Sequence, residues 1–504
     1  MATVRRSSTD HHHQNHRTAP EVTVVMVPLP AQGHLNQLLQ LSRLIAAYDI
    51  PIHFVSTAAH NRQAKRRIHG WDPLAASNLH FHDFPIPEFI SPPINPNAAN
   101  KFPSHLQPLF DAAAHLRQPL TKLLHFLSNY TCHSPNALTT GDAIGFAIED
   151  LICPRSTHRI VVIHDSLMSS TVQDVVTIPN VESYIFHSVS AFSMFWFFME
   201  NPENPFEFDD KLLQEQEQIP SLEDCFTTEF MEFIISEDKY NSLSSGFLYN
   251  ACREIEGKYI NLIEKKSENE NKKHWAIGPF NPVELIEKNS DKLSSRHECL
   301  KWLDKQESKS VIFVSFGTTT SLHDEQIKEL ANGLEESELK FIWVLRDADS
   351  GDSNTDETRK GELGFEGRIK ERGIIVRDWA PQLEILSHPS TGGFLSHCGW
   401  NSCMESISMG VPIAAWPMHS DQPRNTFLIT EVLKIGVVVK EWAQRDKTVS
   451  SSTISMALKR LMRSEEGEEI RRRAEELGGA VKRALAEGGV SRLEMDSFVT
   501  HISR

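Results

Sequence analysis

Short apolar runs rich in β-branched residues recur through the first half of the chain, at Val22–Val27, Ile52–Ser56, Leu79–Phe84, Ile160–His164 and Ser183–His187. Their length and composition predict buried strands. Pro28 and Pro30 close the first of them. After the turn at Gln32-Gly33, Leu35, Leu38, Leu41, Ser42 and Ile45 return at helical spacing, and Leu39 and Leu44 widen that stripe. A second series begins at Val311–Phe316 and continues through Phe341–Leu345, Ile374–Arg377, Gly392–Ser396 and Val411–Trp416. Residues 451–490 read as charged helix. Strands alternating with helices predict α/β architecture with parallel sheets wound on both faces.

A chain of 504 residues is too long for one core and predicts two or three domains. The polar, turn-rich stretch over 264–298, with EKKSENENKK and EKNSDKLSS around WAIGPFNP, is the natural linker. The expected division is a flexible tail over 1–20, a first domain over 21–263 and a second domain over 299–490, followed by a closing helix over 491–504. Residues 129–159 sit in the first domain as an unusual insertion. No repeat at solenoid spacing occurs.

Composition narrows the partners. A formal net charge of −16 argues against nucleic acid and anionic membranes, which need a basic face. Seven cysteines in this length form no disulfide framework and no CxxC pattern, which fits a reducing cytosol. The N-terminus lacks an apolar signal region, and no run of about 18 apolar residues is present. His11, His12 and His13 have nothing nearby to complete a metal shell, and the Asn129-Tyr130-Thr131 sequon is expected to stay unmodified.

The chemistry gathers in 379–422, WAPQLEILSHPSTGGFLSHCGWNSCMESISMGVPIAAWPMHSDQ. Trp379 offers a flat face for a base. The run Gly392–Ser396 delivers a glycine turn at His397-Cys398-Gly399-Trp400-Asn401-Ser402, and a helix begins at Asn401 or Ser402. A strand, a turn and a helix N-terminus aim backbone N–H groups and the helix dipole at one point, which suits a phosphate. Glu405, one turn further on, could accept from both ribose hydroxyls. Asp421 and Gln422 suit sugar hydroxyls.

In the first half, His34 in PAQGHLNQ follows a strand and opens a helix. The positive helix end there is expected to keep its ring neutral and able to take a proton. Asp165 in HDSLMSS ends another strand, where ligands bind in open parallel sheets. It reads either as the partner that fixes the His34 tautomer or as a helix N-cap before Leu167. Ser315 and Thr318, in SFGTTT, form a weaker backbone cradle after a strand, and Ser188 is a minor candidate for touching a sugar. Asp347-Ala348-Asp349 has DxD metal spacing but lies in a solvated acidic run, so no metal is expected. The apolar segment Phe192–Met199 reads equally as pocket lining and as core.

The 379–422 block closely resembles the donor-binding signature of the plant UDP-glycosyltransferases, and GHLNQ with the strand-end Asp165 resembles their His–Asp dyad. The resemblance implies the GT-B architecture, two Rossmann-like domains facing a cleft, with residues 491–504 packing back on the first. It implies that Trp379 stacks on uracil, that Ala380 pairs with it through its backbone, and that Gln382 and Glu405 hold the ribose. His397, Trp400, Asn401 and Ser402 would lie at the diphosphate with Ser315 and Thr318, and Asp421 and Gln422 at the sugar. His34 and Asp165 would be catalytic. The implied reaction is inverting and metal-independent, with UDP-glucose as co-substrate, UDP-xylose as an alternative, and a small-molecule acceptor; the protein would act as a cytoplasmic monomer. The runs PAQGHLNQLLQLSRLIA, HDSLMSS and WPMHSDQPRN, with Cys403, resemble zeatin O-glycosyltransferases in particular, and flavonoid or terpenoid hydroxyls are the competing acceptors.

Overall fold

A computed structural model of the chain describes residues 22–68, 71–95, 97–98, 100–129, 159–200, 210–267, 272–283, 296–345, 365–369 and 372–504. The expected tail, the insertion between Asn129 and Arg159, and the Asp347–Asp349 motif lie outside the described residues.

The first half builds a seven-stranded, all-parallel sheet. Its strands are β1 (Val22–Val27), β2 (Ile52–Ser56), β3 (Leu79–Asp83), β4 (Arg159–Asp165), β5 (Val181–His187), β6 (Gly246–Tyr249) and β7 (Lys273–Ala276). Their spatial order is β3-β2-β1-β4-β5-β6-β7. The second half builds a six-stranded parallel sheet from β8 (Val311–Ser315), β9 (Lys340–Val344), β10 (Gly373–Val376), β11 (Thr391–Ser396), β12 (Ile413–Ala415) and β13 (Gly436–Val438), in the order β10-β9-β8-β11-β12-β13. Both sheets bury their central strands on both faces, which is why those strands are continuous apolar runs rather than alternating ones.

The strand order reverses between β1 and β4 in one sheet and between β8 and β11 in the other. The loops leaving neighbouring strands at such a point turn to opposite faces and open a crevice at the carboxyl ends. His34 follows β1 and Asp165 ends β4, while Ser315 ends β8 and His397 follows β11. Each half therefore brings its candidate chemistry to its own switch point.

The helix Gln32–Ala46 buries Leu35, Leu38, Leu39, Leu41, Ser42 and Ile45 against the first sheet, as its stripe predicts. One difference from the sequence reading stands out. The 264–298 stretch is not all linker, because β7 lies within it and pairs with β6 as the edge of the first sheet. Its four residues are set among lysines, and tertiary burial rather than local pattern makes them a strand. Beyond the expected second domain, the helix Val490–Ile502 buries Met495, Phe498 and Ile502 in the core of the first half. A further apolar cluster crosses between the halves and joins Phe192, Trp196 and Tyr259 to Trp400, Met404 and Leu428.

Candidate active site

His34 is the third residue of the helix Gln32–Ala46, where the chain turns at the end of β1. Its Nδ1 lies 2.7 Å from Oδ2 of Asp165, which is fully buried. Asp165 uses both oxygens, since Oδ1 accepts the Leu167 N–H at 3.0 Å. Asp165 therefore makes both the N-cap bond and the bond to the His34 ring. Ser188 Oγ stands 3.0 Å from the same ring nitrogen. Behind it, Gln37 donates to the Ser188 carbonyl at 2.8 Å, and Asn250 donates to Gln37 Oε1 at 2.9 Å. With Nδ1 held by a carboxylate, Nε2 is the nitrogen left to take a substrate proton.

Opposing influences act on the His34 ring. Burial lowers its pKa, but the charge and hydrogen bond of Asp165, with a further contribution from Asp421, outweigh burial and raise it. The carboxylates of Asp165 and Asp421 thus act against burial and make the ring a stronger base.

Across the cleft, β11 ends at Ser396 just before His397, Cys398 takes a left-handed φ of 63°, and Gly399 caps the helix Trp400–Met409 without a side-chain hydrogen bond. The helix thus presents its amino end to the cleft. The His397 ring is clasped between two glycines: a Cβ added at either Gly317 or Gly399 would come within 2.6 Å of its Nε2. A larger residue at either position would have to displace the ring. Ser315 and Thr318 line the same cavity on the β8 side.

Gln382 Nε2 donates to Ser402 Oγ at 2.9 Å and to Glu405 Oε2 at 2.8 Å, which joins three of the expected donor contacts. Burial pushes the Glu405 carboxyl up to about 7, although the bond from Gln382 favours its charged form. Trp379 is 41 % exposed and lines the cavity. The Ala380 carbonyl accepts the Gln382 N–H at 2.8 Å. Asp421 is pushed up to about 6 by burial, against the opposing hydrogen bond of Asn425. Gln422 turns its carbonyl to the backbone N–H groups of Met418 and His419, at 2.9 and 3.1 Å.

Two of the expected donor residues bond across the cleft instead. Trp400 is buried and donates to the Asn250 carbonyl at 2.8 Å, and Asn401 donates to the Gly33 carbonyl at 2.8 Å. In this structure they tie the donor helix to the backbone beside His34.

Both sets of residues line one cavity of about 430 Å³. Its far side is aromatic, with Phe102, Phe110, Phe226 and Phe230. The helix Ala191–Met199 divides by face: Met194, Phe197 and Phe198 line the cavity, while Phe192, Phe195 and Trp196 enter the core between the halves. Both readings of that segment hold. Sequence reasoning missed Gln37, Asn250, His419 and Asn425. Asn425 sits one helical turn after Asp421, which is a usable signal. Asn250 has none, because only the tertiary fold brings it to Gln37.

Among the described residues, no helix is long and apolar enough to cross a membrane, and no group of three or more His, Cys, Asp or Glu is placed to hold a metal. The five described cysteines are buried free thiols.

Comparison with known proteins agrees with this geometry. The model of the glycosyltransferase N-terminal domain matches residues 20–133 and 144–282, and that of UDP-glucoronosyl and UDP-glucosyl transferase matches 278–472. The chain is 51 % identical to a zeatin O-glucosyltransferase of Phaseolus lunatus over 96 % of its length and 97 % of that protein's. It is 49 % identical to a zeatin O-xylosyltransferase of Phaseolus vulgaris, over 96 % and 98 %. In fold it is similar to a UDP-glucosyltransferase from Polygonum tinctorium, with a TM-score of 0.73, 24 % identity and coverage of 97 % and 100 %. A UGT transferase from Siraitia grosvenorii in complex with UDP gives 0.70, 24 %, 96 % and 100 %. With its donor block and its histidine–aspartate pair facing each other in a GT-B cleft, the chain belongs to the UDP-glucoronosyl and UDP-glucosyl transferase family.

Proposed function

We propose that this protein transfers glucose from UDP-glucose to the side-chain hydroxyl of zeatin, with inversion at the anomeric carbon. The observation that carries the chemistry is the His34–Asp165 pair at 2.7 Å, with His34 lining one cavity together with the amino end of the helix Trp400–Met409. His34 Nε2 takes the acceptor proton as the hydroxyl oxygen attacks the anomeric carbon, and the bond to the diphosphate breaks on the opposite side. An α-linked donor becomes a β-glycoside. Asp165 holds the imidazolium that forms. His397, Asn401, Ser402 and the helix end receive the charge of the departing UDP, with Ser315 and Thr318 beside them. Trp379 and Ala380 hold the uracil, Gln382 and Glu405 the ribose, and Asp421 and Gln422 the sugar.

The acceptor assignment is supported by the names of the two Phaseolus relatives and by the aromatic cavity wall, which suits a flat heteroaromatic ring. The second relative makes UDP-xylose the alternative donor. Parallel assays of UDP-glucose and UDP-xylose with trans-zeatin, cis-zeatin and a flavonoid, read by mass spectrometry, test both assignments. A preferred xyloside would change the donor, and flavonoid products without zeatin products would change the acceptor. We also infer turnover without a bound metal by a cytosolic monomer. Undiminished rates in EDTA and a monomer mass by light scattering are the expected results.

Trp379→Ala should raise the UDP-glucose KM through lost stacking of roughly 1–3 kcal/mol. The acceptor KM should stay nearly constant. An unchanged donor KM would make the ring mere packing.

Glu405 predicts a pH effect. A carboxyl raised to about 7 is mostly protonated below that pH and then accepts more weakly from the two ribose hydroxyls. The UDP-glucose KM should therefore rise as pH falls from about 8 to about 6, and Glu405→Gln should flatten the dependence. An identical slope in the variant would remove Glu405 from donor binding.

A further inference from the structure

Asn425 is fully buried and spends the whole hydrogen-bonding capacity of its amide at the boundary between the two halves. Its Nδ2 donates twice within the second half, to the Cys398 carbonyl at 2.9 Å and to Asp421 Oδ2 at 2.8 Å. Its Oδ1 accepts twice from the first half, from Ser190 Oγ at 2.8 Å and Ser193 Oγ at 3.2 Å. Ser190 also caps the helix Ala191–Met199, accepting the Ser193 N–H at 3.0 Å. The next residue repeats the link, since buried Arg424 pairs with Glu200 at the end of that same helix.

We propose that Asn425 is a positioning residue for the donor sugar, which holds the Asp421 carboxylate and the Cys398 turn in place only while the two halves are docked. The proposal rests on the assignment of Asp421 to the sugar. Without Asn425, Asp421 would be a buried carboxylate with no side-chain donor, freer to rotate or to take up a proton. His34, from the helix after β1, is the group whose charge bears on Asp421, while the buried thiols of Cys225, from the loop before Thr227, and Cys403, from the helix Trp400–Met409, are pushed up by burial and in part by the charge of Asp421. Asn425 is the side chain that donates a hydrogen bond to it. The amide thus connects three things: the helix cap of the first half, the turn that precedes the phosphate-facing helix, and the sugar carboxylate.

The experiment compares Asn425→Asp with the parent enzyme. The substitution keeps size and shape and can still accept from Ser190 and Ser193, but it donates nothing and sets a second carboxylate against Asp421. The UDP-glucose KM should rise by about tenfold to a hundredfold. Calorimetric affinity for UDP, which has no sugar, should change less than about threefold. The acid limb of kcat/KM should move to higher pH, because two facing carboxylates resist ionising together. Equal losses for UDP and UDP-glucose with an unmoved pH profile would make Asn425 ordinary scaffold and overturn the proposal. Should Asn425→Asp fail to fold, Ser193→Ala removes one bond to the amide from outside the donor site. It should raise the UDP-glucose KM by about twofold to fivefold with UDP affinity intact, and no change would equally overturn the proposal. Asp421→Asn separates the two levels. An unchanged UDP-glucose KM there removes the sugar assignment itself, whereas a raised KM beside an unaffected Asn425→Asp removes only the role of Asn425.

Discussion

Replacing His34 with alanine should lower kcat on the order of 10²–10⁴-fold and leave UDP affinity nearly unchanged, as for loss of a general base. The ring is anchored in the first half, at a helix start after β1, and Asp165 and Ser188 hold it at 2.7 and 3.0 Å. The proposed nucleotide contacts all come from the second half. Calorimetry with UDP and a turnover assay on one preparation separate the two effects. Binding lost in parallel with turnover would place His34 in the donor site instead.

Asp165→Asn should cost on the order of 10²–10⁴-fold in kcat by a different route. The amide keeps the shape, but it can present its N–H₂ to Nδ1, which stabilises the tautomer whose proton sits on Nε2. That tautomer cannot accept from the substrate. The sign of the accompanying pH shift is diagnostic. Asp165 raises the pKa of His34, so its removal should lower it. The acid limb of the residual kcat/KM profile should then move to lower pH. An unmoved limb with full activity would leave Asp165 only its N-cap bond to Leu167.

Much of this site was legible because its parts are local. The 379–422 block encodes a strand, a glycine turn and a helix start in consecutive residues, and β11 with the helix Trp400–Met409 forms there. His34 and Asp165 were readable because each stands at the end of a long apolar strand, and the shared switch point then brings them together. What was not legible depends on contacts distant in sequence. The lysine-flanked residues of β7 become a strand only against β6, and the β13 residues only against β12. The raising of the His34 pKa was also hidden, since Asp165 lies 131 positions away in the chain and Asp421 lies in the other half. The roles of Trp400 and Asn401 in fastening the halves were hidden for the same reason, since their partners Asn250 and Gly33 belong to the opposite half.

The most direct test of the central claim sets trans-zeatin beside isopentenyladenine, which has the same purine and a similar side chain but no hydroxyl. Each is incubated with UDP-glucose, and products are identified by mass spectrometry and by the anomeric proton coupling in NMR. The account predicts a β-O-glucoside of zeatin with one UDP released per transfer, and no product from isopentenyladenine, because His34 then has no O–H to deprotonate. An α-linked product, or glucosylation of isopentenyladenine at a ring nitrogen at a rate comparable to zeatin, would contradict it.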